Sequence, residues 1–207
     1  MKNIIIMTLL TMLTIQCVIV GKENTVYNVI DYRIASDGKT MVTTEIQRVI
    51  DECSRNGGGK VFFPAGKYLT GTLVLKDNVY LEISAGATIL GSPDIRDYNR
   101  ETPYTIYGKK SQNIGIIGEG TLDGNGETFW KGKQHPYIRP RRFILLEECR
   151  DVKIKDVKIV NSPSFNIALS LCNYVWIDGV SIINSRESPN TDGIDPNSSS
   201  NVFITNC

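Results

Sequence analysis

Residues 142–164, RFILLEECRDVKIKDVKIVNSPS, and residues 165–187, FNIALSLCNYVWIDGVSIINSRE, superimpose with their apolar positions in coincidence. Ile144 falls on Ile167, Leu146 on Leu169, Cys149 on Cys172, Val152 on Val175, Ile154 on Ile177, Val157 on Val180 and Ile159 on Ile182, while Asn161 and Ser162 meet Asn184 and Ser185. The period is 23 residues. Inside each copy the apolar residues alternate in short runs, and Asn, Gly, Asp or Ser stand at the breaks, which is strand patterning with turns between. Strands this short cannot bury an apolar face alone, whereas stacked coils bury a continuous one. The pattern predicts a parallel β-helix. An antiparallel sandwich also has short strands and turns, but it does not explain a repeat that places Cys on Cys and Asn on Asn.

A third copy follows at a shift of 27, carrying Ile167 to Ile194, Val175 to Val202, Ile177 to Ile204 and Val180 to Cys207. The four extra residues enter between Asn184 and Asp192. Looser copies lie upstream in DNVYLEISAGATILGS and QNIGIIGEGTLDGNG, the latter followed by the excursion ETFWKGKQHPYIRPRR. Before the first coil, TTEIQRVIDECSRNGGG has Ile46, Val49, Ile50 and Cys53 on one helical face, Thr44 and Gln47 as a capping box, and Gly57 to Gly59 as a stop. One amphipathic helix there can cover the open end of the stack. At the other end Cys207 falls on a core position of an unfinished coil, and the expectation is that the natural reading frame continues beyond it.

The chain has 207 residues, 41% hydrophobic, with 23 Lys and Arg against 22 Asp and Glu. That is enough apolar residue for one sizeable core, and so balanced a charge gives no global argument for nucleic acid or an anionic membrane surface as partner. The first segment, MKNIIIMTLLTMLTIQCVIVGKEN, has an early lysine and an apolar run, the build of an export signal. We assign residues 1–22 to that signal and 23–207 to the β-helix, and expect a secreted, periplasmic or cell-surface protein, with an anchor as the one conceivable membrane attachment. The four cysteines outside the signal, Cys53, Cys149, Cys172 and Cys207, lack CxxC spacing and the density of a disulfide scaffold.

In solenoids insertions gather on the binding face, and the clearest one here delivers Asn190, Thr191, Asp192 and, further on, Asp195. Ile194 shares the core face with Ile167 and Ile144, so Asp195 points outward beside Ala168 and Leu145. Strict alternation would turn Asp192 inward, where an unpaired carboxylate costs several kcal/mol. A strand beginning at Gly193, with a kink before it, frees Asp192 for the outer face. An Asx turn of purely structural role fits NTDG equally well.

The stretches FFPAGKYLTGTLVLKDNVYLEISAGATILGS, GEGTLDGNGETFW, RPRRFILLEECRDVKIKDVKIVNSPSFNIALSLC and NTDGIDPNSSSNVFITNC together resemble the family 28 glycoside hydrolases, the polygalacturonase group, from about residue 25 onward. The resemblance implies an all-β, right-handed parallel β-helix and inverting hydrolysis of α-linked galacturonan chains by three aspartates, with no metal or organic cofactor. The family's NTD motif falls on Asn190, Thr191 and Asp192, which makes Asp192 one of the water-activating pair. The double aspartate of the following coil, the GHG histidine and the RIK motif come later in the family and are not in this sequence, so the 207 residues alone are expected to be nearly inactive. His135 precedes NTD and is not the family histidine. Many members carry a histidine at Ala168, a departure that leaves the substrate and cleavage mode open.

Asn190, Asp195 and Arg141 are the candidate substrate contacts. Arg139, Arg141 and Arg142 could pair with uronate carboxylates or brace the coil, and the family often has RPR at Arg139–Arg141. Trp130 reads as packing the excursion onto the barrel, and Trp176, aligned with Lys153, faces outward. The expected partner is pectic polysaccharide, with no nucleic acid, and the protein is expected to be a monomer. The rival class is a non-catalytic β-helix that binds polysaccharide or serves as a surface protein. A pectate lyase would need a cluster of acidic calcium ligands, which the sequence does not show near the cleft strand.

Overall fold

The computed structural model describes residues 25–132 and 138–207. Residues 1–22, expected to form an export signal, and His135 lie outside the described residues. Among the described residues, eighteen strands form three wholly parallel sheets. We call the seven-stranded sheet A, the six-stranded one B and the five-stranded one C. From the strand Leu73–Val74 onward the chain visits them in the repeating order C, A, B, and each visit adds one strand, so successive coils stack as a parallel β-helix.

The register is the one the sequence repeat sets. Ile144 pairs with Ile167 and Ile167 with Ile194 in sheet C; Val152 with Val175 and Val175 with Val202 in sheet A; Ile159 with Ile182 in sheet B. One side chain per position therefore runs as a column down the core. Val61, Leu81, Ile116, Ile154 and Ile177 form such a column, each at most 1% exposed. A residue slip would turn every one of these side chains to the solvent, which is why the register is so tightly specified.

The corner between sheets C and A has its own chemistry. Lys110, Glu148, Leu171 and Ser198, at the same place in four successive coils, all have left-handed backbones with φ between 49° and 55°. The next residue is Ser111, Cys149, Cys172 or Ser199, and its side chain donates to the carbonyl two residues back, at 3.2, 3.3, 3.6 and 3.2 Å. Serine and thiol do the same job, turning the chain without a loop and giving a second donor to a carbonyl that, at Glu147, Ser170 and Asn197, also accepts a backbone N–H from the neighbouring coil. All four described cysteines are free thiols.

The helix Thr43–Arg55 lies over the first coil, with Ile46, Val49, Ile50 and Cys53 buried on its inner face. Its start differs from the sequence expectation. Val42 is the N-cap, without a side-chain cap bond, so Thr44 and Gln47 form no capping box. Gln47 instead accepts from the Val74 N–H at 2.7 Å and donates to the Val74 carbonyl at 3.0 Å, and Thr43 Oγ1 accepts from the Gly71 N–H at 2.8 Å. The strand Leu73–Val74 is the edge of sheet C, and its unpaired backbone makes a stronger demand on Gln47 than the helix end does. The helix thus satisfies the sheet edge as well as covering the core. At its other end Asn56, Gly57 and Gly58 return N–H groups to the carbonyls of Glu52, Ser54 and Cys53.

Candidate active site

The outward rows of sheet C are fixed by its pairing. Val74, Tyr107, Leu145, Ala168 and Asp195 form the central row. Tyr104, Arg142 and Phe165 form the row at the strand starts, and Lys109, Glu147, Ser170 and Asn197 the row toward the strand ends. Tyr107, Leu145 and Ala168 pack as a small apolar cluster outside the core, with Val74 and Tyr104 against it. Apart from Val74, Tyr107 and Lys109, these rows line a cleft of about 400 Å³ that also takes in Arg141. A larger basin, about 860 Å³, lies at the exposed rim of the helix Thr43–Arg55, away from the inserted segment and its aspartates.

The inserted segment is held from below by Asn166, whose side chain is wholly buried. Its Nδ2 donates to the carbonyls of Thr191 at 3.1 Å and Asp192 at 2.9 Å, its Oδ1 accepts from Asn184 Nδ2 at 3.2 Å, and its backbone N–H donates to the Asp192 carbonyl at 3.0 Å. This residue was missed from the sequence. The signal for it was present, because the repeat lays Asn166 over Phe143, a polar residue on a buried position. Asn190 has a left-handed backbone, φ 56°, and its Oδ1 accepts from the Arg139 guanidinium at 2.9 Å. Arg139 is itself buried and also reaches the Pro189 carbonyl, at 3.4 Å. Asn190 and Arg139 thus brace the segment, whereas the exposed Arg141 lines the cleft.

The strand Ile194–Asn197 begins one residue later than the expected Gly193, although the Gly193 carbonyl still accepts from the Ile167 N–H at 3.1 Å. Asp192 is exposed, as a kink ahead of the strand requires. Asp195 is half-buried beside Ala168, and its Oδ2 is buried with no hydrogen-bond partner among the described residues. Burial pushes the Asp195 carboxyl above its ordinary range, the charge of Asp192 pushes the same way, and Arg142 opposes them. The Arg142 guanidinium is fixed over the Phe165 ring, 4.0 Å from its centroid, and donates to the Arg141 carbonyl at 2.7 Å. Two carboxylates thus stand near each other in different surroundings, Asp192 exposed and Asp195 half-buried, and these surroundings favour a proton on Asp195.

Further along the cleft the Tyr107 hydroxyl donates to Glu147 Oε2 at 2.6 Å, a pair the sequence did not reveal. Trp130 is buried, 8% exposed, and Trp176 lies outside sheet A between Tyr174 and Phe203, stacked at 6.2 and 5.8 Å. Among the described residues no group of three His, Cys, Asp or Glu side chains is placed to hold a metal, and no helix is long and apolar enough to cross a membrane.

Fold and cleft define a parallel β-helix protein with an elongated, carboxylate-headed groove on one sheet. The chain belongs to the glycosyl hydrolases family 28, whose model matches residues 53–207. It is 32% identical to a probable polygalacturonase of Vitis vinifera over 87% of this chain and 41% of that protein. It is 36% identical to an exo-poly-alpha-D-galacturonosidase of Dickeya chrysanthemi over 51% of this chain and 20% of that protein. The chain therefore spans about two fifths or less of the length of these relatives. Among solved structures, a hyperthermoactive exopolygalacturonase from Thermotoga maritima superimposes with a TM-score of 0.74 at 27% identity, covering 88% of this chain and 53% of that one. The fold is the right-handed parallel β-helix of these polygalacturonases.

Proposed function

We propose that the chain forms the cleft-bearing N-terminal coils of an exported glycosidase that hydrolyses the α-1,4-galacturonan bonds of pectin with inversion. The observation that carries this reading is Asp195 on the wall of the sheet C cleft, with Asp192 in the turn just before its strand and near enough for one charge to act on the other. Inverting hydrolysis needs one carboxylic acid to protonate the leaving oxygen and one carboxylate, about 6.5–9.5 Å away, to activate water. Asp192, solvated, serves as a water-activating base. Asp195, desolvated, holds a proton more readily and meets a sugar hydroxyl or carboxylate, while Arg141 and Arg142 receive uronate carboxylates at the strand starts. Asn190 shapes the turn that presents Asp192.

Asp192 cannot be both base and acid. Carboxylates one coil further along, about 4.8 Å up the axis and displaced sideways, fall within the required separation, and the family places its double aspartate there. The 207 residues by themselves bind a pectic oligomer as a monomer but turn it over slowly or not at all. The experiment is a reducing-end assay of the 207-residue chain on polygalacturonate, beside calorimetric titration with hexagalacturonate. Binding with negligible turnover is expected. Turnover at the rate of a complete polygalacturonase, lost in Asp192→Asn, would overturn the need for a further coil. Absence of binding to any pectic oligomer would favour a β-helix whose NTDG turn is purely structural.

A further inference from the structure

We propose that the basin beside the helix Thr43–Arg55 is an accessory site for the uronate carboxylates of a long galacturonan chain, and that Arg48, Arg55 and Lys76 there make affinity depend on chain length. The inference rests on the proposal that the cleft takes a pectic chain.

The outer face of sheet C leads from the one site to the other. Asp195, Ala168, Leu145, Tyr107 and Val74 follow one another down its central row on successive rungs, so Asp195 and Val74 stand about 19 Å apart along the axis. The cleft takes in the first three of these residues, and Val74 lines the basin. Along this row only Tyr107 lies between, and its strand carries the exposed Lys109 two residues on.

The helix walls the basin on the other side. Thr44, Arg48, Asp51 and Arg55 recur at helical spacing along one stripe, clear of the buried stripe Ile46, Val49, Ile50 and Cys53, and all four line the basin together with Lys76. Arg48, Arg55, Lys76 and Lys109 are exposed, and none of them makes an ion pair among the described residues. Asp51 and Asp97 line the same basin but are satisfied by neutral donors, Asp51 Oδ1 by Gln47 Nε2 at 2.9 Å and Asp97 by the Ser92 hydroxyl. Arg55 Nε donates to the Asp51 carbonyl at 3.3 Å, which holds that guanidinium by one edge. A galacturonan carries one carboxylate on every unit, so a long chain meets Arg141 and Arg142 at the cleft and a second set of cations at the basin. A short oligomer held at the cleft meets only the first. Each contact at the basin is solvent-exposed and worth roughly 1.4-fold to fivefold in affinity, so three together give about tenfold, and salt weakens them.

The test is calorimetric titration of the 207-residue chain with hexagalacturonate and with dodecagalacturonate at low salt. The wild-type chain is expected to bind the dodecamer more tightly than the hexamer. The triple variant Arg48→Gln, Arg55→Gln, Lys76→Gln, which keeps good helix formers in the helix, should lose about tenfold in dodecamer affinity while its hexamer affinity stays within about twofold. The control Lys39→Gln, Lys153→Gln, Lys158→Gln removes the same charge from sheets A and B and should leave both affinities within about twofold. Dodecamer and hexamer bound alike by the wild type, no loss in the basin variant, an equal loss for both oligomers, or an equal loss in the control overturns the inference while leaving the pectic reading intact. Failure of both oligomers to bind the folded wild-type chain overturns that reading, and this inference with it.

Discussion

Replacing Asn166 with alanine should cost about 2–4 kcal/mol of stability, a large share of the roughly 5–15 kcal/mol that holds a typical fold. The substitution removes three side-chain hydrogen bonds, to the carbonyls of Thr191 and Asp192 and from Asn184 Nδ2. Each contributes about 1 kcal/mol net, and the groups left without a partner add a desolvation cost of about 1–3 kcal/mol where no water reaches them. The Asp192 carbonyl keeps the backbone N–H of Asn166, so its loss is partial and the lower half of the range applies to it. Asn166→Asp keeps the shape and replaces the donor with an acceptor facing two carbonyls, and it should cost at least as much as alanine. Guanidinium unfolding at pH 7 measures both, and limited proteolysis reads the segment 184–193 directly, which should be cut faster in either variant. A loss under about 0.5 kcal/mol for both variants, with the segment no more susceptible, would refute the claim that this buried amide holds the Asp192 turn.

Three further outcomes follow from the same contacts. Gln47→Ala strips the partners from Val74 N–H and carbonyl and should destabilise the chain by about 2 kcal/mol in guanidinium unfolding, whereas a capping-box loss alone would leave exchange at Val74 unchanged. Leu171 is 60% exposed with φ 55°, so Leu171→Asn should stabilise by about 0.5–1 kcal/mol, since asparagine tolerates the left-handed backbone. For Asp195 the folded carboxyl lies above its unfolded value because of burial and then Asp192, so its ionisation opposes folding as pH rises through the folded pKa and has no effect below the unfolded one. Asp195→Asn should therefore gain stability over the wild type near neutral pH, with the gain vanishing below about pH 4, and a gain that grows on acidification would reverse the sign and refute it.

The coil register could be read from the sequence because each coil repeats the demand to bury the same columns, so Ile144, Ile167 and Ile194 declare one another. Asp195 followed by parity, since its outward row is the complement of that column. The rest depended on side chains doing unlike jobs at like positions. Ser111 and Ser199 extend the Cys149–Cys172 column by hydrogen bonding, which no apolar pattern reveals. Gln47 answers a sheet edge 27 residues away, and Arg139 reaches Asn190 across 51 residues, contacts that only the closed coil brings together. Tyr107 and Glu147 meet across neighbouring rungs 40 residues apart, each unremarkable in its own strand.

A pectic chain is proposed to lie in the sheet C groove beside Asp195 and the turn that carries Asp192. Amide chemical-shift mapping of the 207-residue chain on titration with hexagalacturonate or its methyl ester tests it most directly. The largest shifts are expected at 142–147, 165–170 and 192–197, with the Tyr174, Trp176 and Phe203 face of sheet A unmoved. Shifts centred on that aromatic face, or on the basin beside the helix Thr43–Arg55, would contradict it.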